Sequence, residues 1–163
     1  MIGVTDIIDN LPKSTIDLVM ECIRGCTNIV DKTVNYMAPP NTYKSQIEYG
    51  NYIHNDIATN KYNIVRTTLS NGRFEYDVYK SHRNKLVHGI VDYIDSSTII
   101  DFKTGKMYDT HLLQLALYWW LTDEKYKLEL IYINMNIKRC ITILNKRKFK
   151  HAVSIMLSTI HAK

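Results

Sequence analysis

Between Leu86 and Lys103 the chain reads as two short strands, Leu86 to Ile94 and Thr98 to Lys103, rich in Val and Ile and joined across Asp95-Ser96-Ser97. A two-residue loop at Ser96-Ser97 would make Asp95 face Thr98 and Ile94 face Ile99. It would then set Asp92 opposite Asp101 with Cβ atoms about 5 Å apart. Lys103 lies two residues beyond Asp101 and so points to the same face. Three charged side chains thus meet on strands that otherwise read as core. Ser-Ser is not the favoured turn pair, and a slip of one residue would turn each side chain to the opposite face.

The flanking segments fill out a mixed α/β (α+β) domain. Helices are expected from Ser14 to Arg24, stopped by Gly25, and from Tyr43 to Ala58, with Tyr43, Ile47, Gly50, His54 and Ile57 on one inward stripe. A hairpin is expected from strands Tyr62 to Leu69 and Phe74 to Lys80 about the turn Asn71-Gly72. Asp109 or Thr110 should cap a helix through Trp120. Strands Leu128 to Met135 and Cys140 to Leu144 and a helix from Lys146 to Ile160 complete the order. A strand, crossover helix and strand normally make a right-handed parallel unit, so the central sheet should be mixed and flanked by helices.

At 163 residues and 45% hydrophobic, the chain is expected to be a single domain, with residues 1–38 a helical N-terminal segment and 41–163 the core. The apolar run Leu112 to Leu121 is too short to span a membrane, and the start lacks a basic segment before an apolar one. The expectation is a soluble, intracellular protein that is neither secreted nor partnered with a membrane. Twenty-one Lys and Arg against sixteen Asp and Glu leave +5, a balance that favours polyanionic partners. The three cysteines, Cys22, Cys26 and Cys140, have no metal-ligand spacing and fit a reducing compartment.

Two carboxylates as close as Asp92 and Asp101 repel one another unless a proton, a lysine or a divalent cation compensates them. The sharper reading is a metal. Oxygen ligands select Mg²⁺ or Mn²⁺, which polarises a phosphoryl oxygen and makes hydroxide from water. The plainer reading is an Asp-Lys-Asp ion-pair cluster on a solvated sheet face.

The residues also match a family pattern. Gly50-Asn-Tyr-Ile-His54 on a helix, Gly89-Ile-Val-Asp92 on a strand, Asp101-Phe102-Lys103 followed by Thr104-Gly105, and Gln114-Leu-Ala-Leu-Tyr118 on the next helix occur in the order found in RecB-like nucleases of the PD-(D/E)xK superfamily. The chain resembles that branch, which includes the CRISPR-adaptation exonucleases and the mitochondrial genome-maintenance exonuclease, from Tyr43 to about Met135. The resemblance implies a restriction-endonuclease-like core and metal-dependent hydrolysis of DNA. It implies His54, Asp92, Asp101 and the Phe102 backbone carbonyl as ligands of Mg²⁺ or Mn²⁺, and Lys103 as the catalytic lysine. Gln114 and Tyr118, with Thr104 and Lys106, would border the site and contact the nucleic-acid backbone. An iron-sulfur cluster is not expected, because four suitably placed cysteines are lacking. The expected partner is DNA, single strands favoured, with a helicase or replication factor as a recruiting protein.

Other groups have plainer roles. One of Trp119 and Trp120 should face the sheet, and the other could stack on a base. Glu48, Glu75 and Asp77 are alternative acids, the last two expected on an exposed hairpin face. His82, His88 and His111 read as incidental, although His111 stands one turn before Gln114. The basic run Lys138-Arg139 and Lys146-Arg147-Lys148 with Lys150 either tracks phosphates or is a solvated face. An inert nucleic-acid-binding or protein-interaction module on the same fold, and a nuclease for RNA or branched DNA, are the alternatives.

Overall fold

The computed structural model describes residues 1–59, 69 and 72–160. A two-residue strand, β1 (Ile2–Gly3), leads into helices α1 (Val4–Asp9) and α2 (Lys13–Cys26) and strand β2 (Thr27–Thr33). Helix α3 (Gln46–Thr59) precedes β3 (Arg73–His82), β4 (Lys85–Ile94) and β5 (Thr98–Lys103). Helix α4 (Asp109–Leu121), β6 (Lys127–Tyr132), a 3-10 turn over Ile133–Met135, β7 (Ile137–Ile143) and α5 (Lys146–Leu157) complete the order.

Among the described residues seven strands form one mixed sheet, ordered β1-β4-β5-β6-β7-β2 with β3 also on β4. The β5-α4-β6 unit is parallel, as the pattern of strand, helix and strand requires. Helices α1, α2, α4 and α5 bury one face of the sheet around Leu113, Trp119, Phe149 and Met156. On the other face α3 packs Tyr49, Ile53 and Ile57 on Tyr93, Ile100 and Phe102. The mixed sheet flanked by helices is therefore present. No helix among the described residues is long and apolar enough to cross a membrane.

The first 38 residues depart from the expected helical segment, because they supply two strands of the sheet. β1 runs parallel to β4 through Ile2↔Val87 and Gly3↔His88. β2 runs antiparallel to β7 from Thr27↔Ile143 to Thr33↔Ile137. Helix α2 passes through Gly25 to Cys26 instead of stopping, and a Cβ at Gly25 would meet nothing within 4 Å. Its helix propensity is poor, but burial of Cys26 one residue on outweighs that cost.

The strand expected over 62–69 lies outside the described residues except for Leu69, as does Asn71 of its turn. β3 pairs along its length with β4, from Arg73↔Ile94 to His82↔Lys85. The turn is Arg83-Asn84, with φ of 48° and 62°, the left-handed pair that a tight two-residue hairpin needs. The buried stripe of α3 is Tyr49, Ile53, Asp56 and Ile57, while Tyr43 and Ile47 are exposed, so the expected stripe is rotated. At the other helix, Tyr108 rather than Asp109 or Thr110 occupies the cap position of α4.

Candidate active site

The β4–β5 pairing has the expected register, with Ile94↔Ile99 and Tyr93↔Ile100. The turn holds although it is Ser-Ser because Asp95 ties it down. Its Oδ1 accepts from the Ser97 and Thr98 amides, both at 2.8 Å. The ladder then ends, one pair short of Asp92 and Asp101.

Three features open the strands at that point. Asp92 Oδ2 accepts the Phe102 amide at 2.8 Å, so a carboxylate fills the place of a backbone carbonyl. Val91 packs in the cluster on the α4 side and Tyr93 in the cluster on the α3 side. Residues two apart on a regular strand share a face, so β4 turns over at Asp92. Glu75, which the register sets opposite Asp92, has a φ of 50°.

Beyond the opening β4 takes up β1 in place of β5. The wedge is tight at Gly89, where a Cβ would stand 2.7 Å from Tyr118 Cε1 and 3.1 Å from Val4 Cγ2. Any larger residue would push the Tyr118 ring off the strand. A Cβ on Gly50 would stand 3.1 Å from Thr104 Oγ1, which brings the loop after β5 close to α3.

The side chains that meet in the fork form a chain of polar contacts. Lys103 Nζ lies 2.8 Å from Asp101 Oδ2 and donates to Gln114 Oε1 at 2.8 Å. Gln114 Nε2 donates to Tyr118 Oη at 2.9 Å. Lys103, two residues along β5 from Asp101, and Gln114 and Tyr118, one turn apart on α4, are thus held as a unit. His54 Nδ1 lies 3.6 Å from Asp92 Oδ1.

Electrostatics separate the two acids. Burial pushes the Asp101 carboxyl up to about 7, helped by the charge of Asp92 and opposed by Lys103. Burial also works against ionised Asp92, but the His54 imidazole 3.6 Å away, the neighbouring Asp101 carboxyl and the hydrogen bond from the Phe102 amide hold its pKa below the ordinary value. The pair therefore holds one proton on the Asp101 side over much of the acid range. Burial opposes the charge on His54 as well, yet the nearby Asp92 and Asp101 raise its pKa. Tyr118 is shifted up by burial and by both acids.

Asp101 is 2% exposed, and its Oδ2 lies 2.8 Å from Lys103 Nζ. Lys103 offsets the burial of Asp101 and its repulsion by Asp92 only in part, since the pKa of Asp101 stays raised, and a divalent cation would relieve the rest. Two carboxylates and an imidazole are also ligand types for a hard divalent ion. Asp92 and Asp101 thus suit Mg²⁺ or Mn²⁺. His54, Asp92 and Asp101 do not stand as a ready-made trio, and no group of three His, Cys, Asp or Glu among the described residues does. It is the amide of Phe102, not its carbonyl, that touches Asp92.

Of the remaining expected residues, Thr104 faces Gly50, while Lys106 is exposed in the loop before α4. Trp119 and Trp120 are both buried, against Phe149 and against His82 and Lys80, so neither offers a face to a base. His88 turns to Asp77 and stacks on Tyr79, away from Asp92. Lys138 and Arg139 are paired with Glu129 and Asp31, and Lys150 with Glu124, so these parts of the basic run are not free charges.

Two residues gain importance. Glu75 is exposed as expected, but it lines a small cleft with His54 and Asp92. His111 sits beside the polar chain with Nδ1 3.0 Å from Tyr132 Oη, and burial followed by the charge of Lys103 pushes its pKa down to about 4. Its position one turn before Gln114 was the available signal.

No family model matches the chain, and no curated protein matches it. A solved structure, that of SSO0001, is similar over 72% of this chain at 17% identity with a TM-score of 0.49. This chain spans 63% of that one's length.

Proposed function

We propose that the chain is a metal-dependent nuclease that hydrolyses DNA phosphodiester bonds on a restriction-endonuclease-like, RecB-like PD-(D/E)xK core. The observation that carries this reading is the pairing of half-buried Asp92 with buried Asp101, with Lys103 on Asp101 and Gln114 lined up behind it. Asp92 and Asp101, with the Phe102 carbonyl and His54 beside them, would hold Mg²⁺ or Mn²⁺, an imidazole favouring Mn²⁺. When bound, the ion supplies Lewis acidity at the attacked phosphate and a water acidic enough to act as nucleophile.

The chain's own residues do the rest. Lys103 Nζ stabilises charge that develops on the phosphate oxygens, and Gln114 Oε1 holds it in place. Tyr118, wedged over Gly89, fixes Gln114 in turn. No sequence motif reads bases, which favours a substrate chosen by its backbone. Single-stranded or end-frayed DNA in replication, repair or recombination is the substrate class, reached through a helicase or replication factor.

One observation favours a second reading, an inert nucleic-acid-binding module. His54 is not gathered with the two acids into a three-ligand set, and Lys103 already compensates Asp101. Incubating the protein with end-labelled single- and double-stranded DNA in Mn²⁺, Mg²⁺ or EDTA, beside Lys103→Ala, decides between them. Metal-dependent degradation that the variant lacks is the expected result. Absence of cleavage together with absence of any Mn²⁺-dependent rise in melting temperature would overturn the nuclease.

A further inference from the structure

Next to Lys103 the sheet carries a second polar feature that the proposed chemistry does not use. Tyr132 is the neighbour of Lys103 across the β5–β6 ladder, and Arg139 on β7 lies with its guanidinium 5.9 Å from the Tyr132 ring. A cleft of about 220 Å³ opens there between the end of α2, the start of α4 and strands β6 and β7. Met20, Leu112 and Leu130 are among its apolar lining residues. Arg24, Arg139, Asp109 and Tyr108 supply the polar and aromatic part, each arginine paired with one carboxylate, Asp109 for Arg24 and Asp31 for Arg139.

Both guanidiniums are held in place yet keep donors to spare. Each has five N–H groups. Arg139 donates from Nε and Nη2 to Asp31 at 2.8 and 2.9 Å, across the β7–β2 ladder. Arg24 donates from Nη2 to Asp109 at 3.1 Å. Their other N–H groups have no partner among the described residues. Fixed, partly unspent guanidiniums are preorganised for a phosphate. Tyr108, 59% exposed, is braced edge-on by His111 with ring centroids 5.5 Å apart, which leaves an aromatic surface available to a base.

We propose that this cleft binds one nucleotide unit of a single-stranded nucleic acid, its phosphate on Arg139 and Arg24 and its base on Tyr108. Tyr132, which lines the cleft, is the ladder neighbour of Lys103, so the inference deepens the nuclease reading and rests on it for the direction in which the strand continues. Asp31 orients Arg139 but also competes with a phosphate for it, and the competition is the larger effect.

The test is fluorescence anisotropy of a labelled oligothymidylate with the full chain in EDTA, at several salt concentrations, so that binding is read without cleavage. Arg139→Gln should bind about tenfold more weakly, as loss of a hydrogen bond to a charged group predicts. Its dependence of log affinity on log salt should be shallower by about 0.7. Tyr108→Ala should also weaken binding. Asp31→Asn breaks the same ion pair but keeps the arginine, and it should bind as tightly as the parent chain or more tightly. Equal binding by Arg139→Gln and the parent, or equal weakening in Arg139→Gln and Asp31→Asn, overturns the proposal. Mn²⁺-dependent cleavage separates the two readings. Cleavage with binding untouched by Arg139→Gln removes the cleft and keeps the nuclease, whereas cleft-dependent binding without cleavage does the reverse.

Discussion

The two edges of β4 are built from one strand and end up unlike. Along one edge β3 pairs from Arg73↔Ile94 to His82↔Lys85. Along the other, β5 makes two pairs and departs, a carboxylate takes the next amide, and β1 fills the space beyond. The continuous edge satisfies its backbone internally and has little to offer a ligand. The interrupted edge leaves polar side chains where backbone pairing would have been, and there Asp92, Asp101 and Lys103 converge. Charge can be concentrated inside a sheet where the sheet comes apart.

Substitutions on the two edges should therefore differ in kind. On the interrupted edge, Asp92→Ala removes the group that accepts the Phe102 amide and pairs with His54. It should lower metal-dependent cleavage by about a thousandfold. A purified variant that cuts labelled DNA at the parent rate would break the contrast at its strongest point.

Asp101→Asn should show that the interrupted edge costs the fold stability when no metal is present. The pKa of Asp101 is raised from 3.8 to about 7 in the fold. Its contribution is thus full below 3.8 and is lost as pH rises through about 7. Asp92, whose pKa is lowered, works in the opposite sense, its stabilisation present above 3.8 and lost as pH falls. His111, its pKa lowered to about 4, adds stability over the same window in both proteins, so the contrast is read as a difference: in EDTA the parent should lose melting temperature relative to Asp101→Asn between about pH 4 and pH 7, and the variant should melt higher at pH 8. Identical melting profiles would show that Asp101 is not strained.

Smaller effects sharpen the contrast. Gly89→Ala drives a methyl to 2.7 Å from Tyr118, which should cost about 1–3 kcal/mol and displace Gln114 and Lys103. Thermal denaturation and cleavage should both register it. Asn84→Val, in the β3–β4 turn at a φ of 62°, should cost about 1–2 kcal/mol and leave the cleavage rate of the folded fraction unchanged. A loss of cleavage beyond the loss of folded protein would mean that the two edges are coupled.

The sequence discloses the interrupted edge better than its surroundings. The Val and Ile content of β4 and β5, their spacing and the offset from Asp101 to Lys103 all follow from strand periodicity, and the structure keeps that register. The opening itself is not legible, because alternation predicts that the ladder continues through Asp92. It depends on the Asp92 side chain, the turnover of β4 and the approach of β1. β1 is two residues long and carries no periodic signal. β2 is hidden for another reason: an exposed edge strand with Asp31, Lys32 and Thr33 at its end has the composition of a loop. The Arg83-Asn84 turn is hard to foresee because it holds no glycine, the stronger indicator of a left-handed turn, although Asn also tolerates that conformation. In α3 the expected face was about one residue off, which put His54 at the centre of the stripe rather than on its border.

The strands supplied by the first 33 residues also set the order in which the molecule can be assembled. β3 and β4 can close as a local hairpin, but Ile2 must find Val87 and Thr27 must find Ile143. Such distant pairings form slowly compared with a hairpin. Until they do, the outer edge of β7 and the interrupted edge of β4 present unpaired backbone, and during synthesis or refolding these are the places where a second chain can add itself in error.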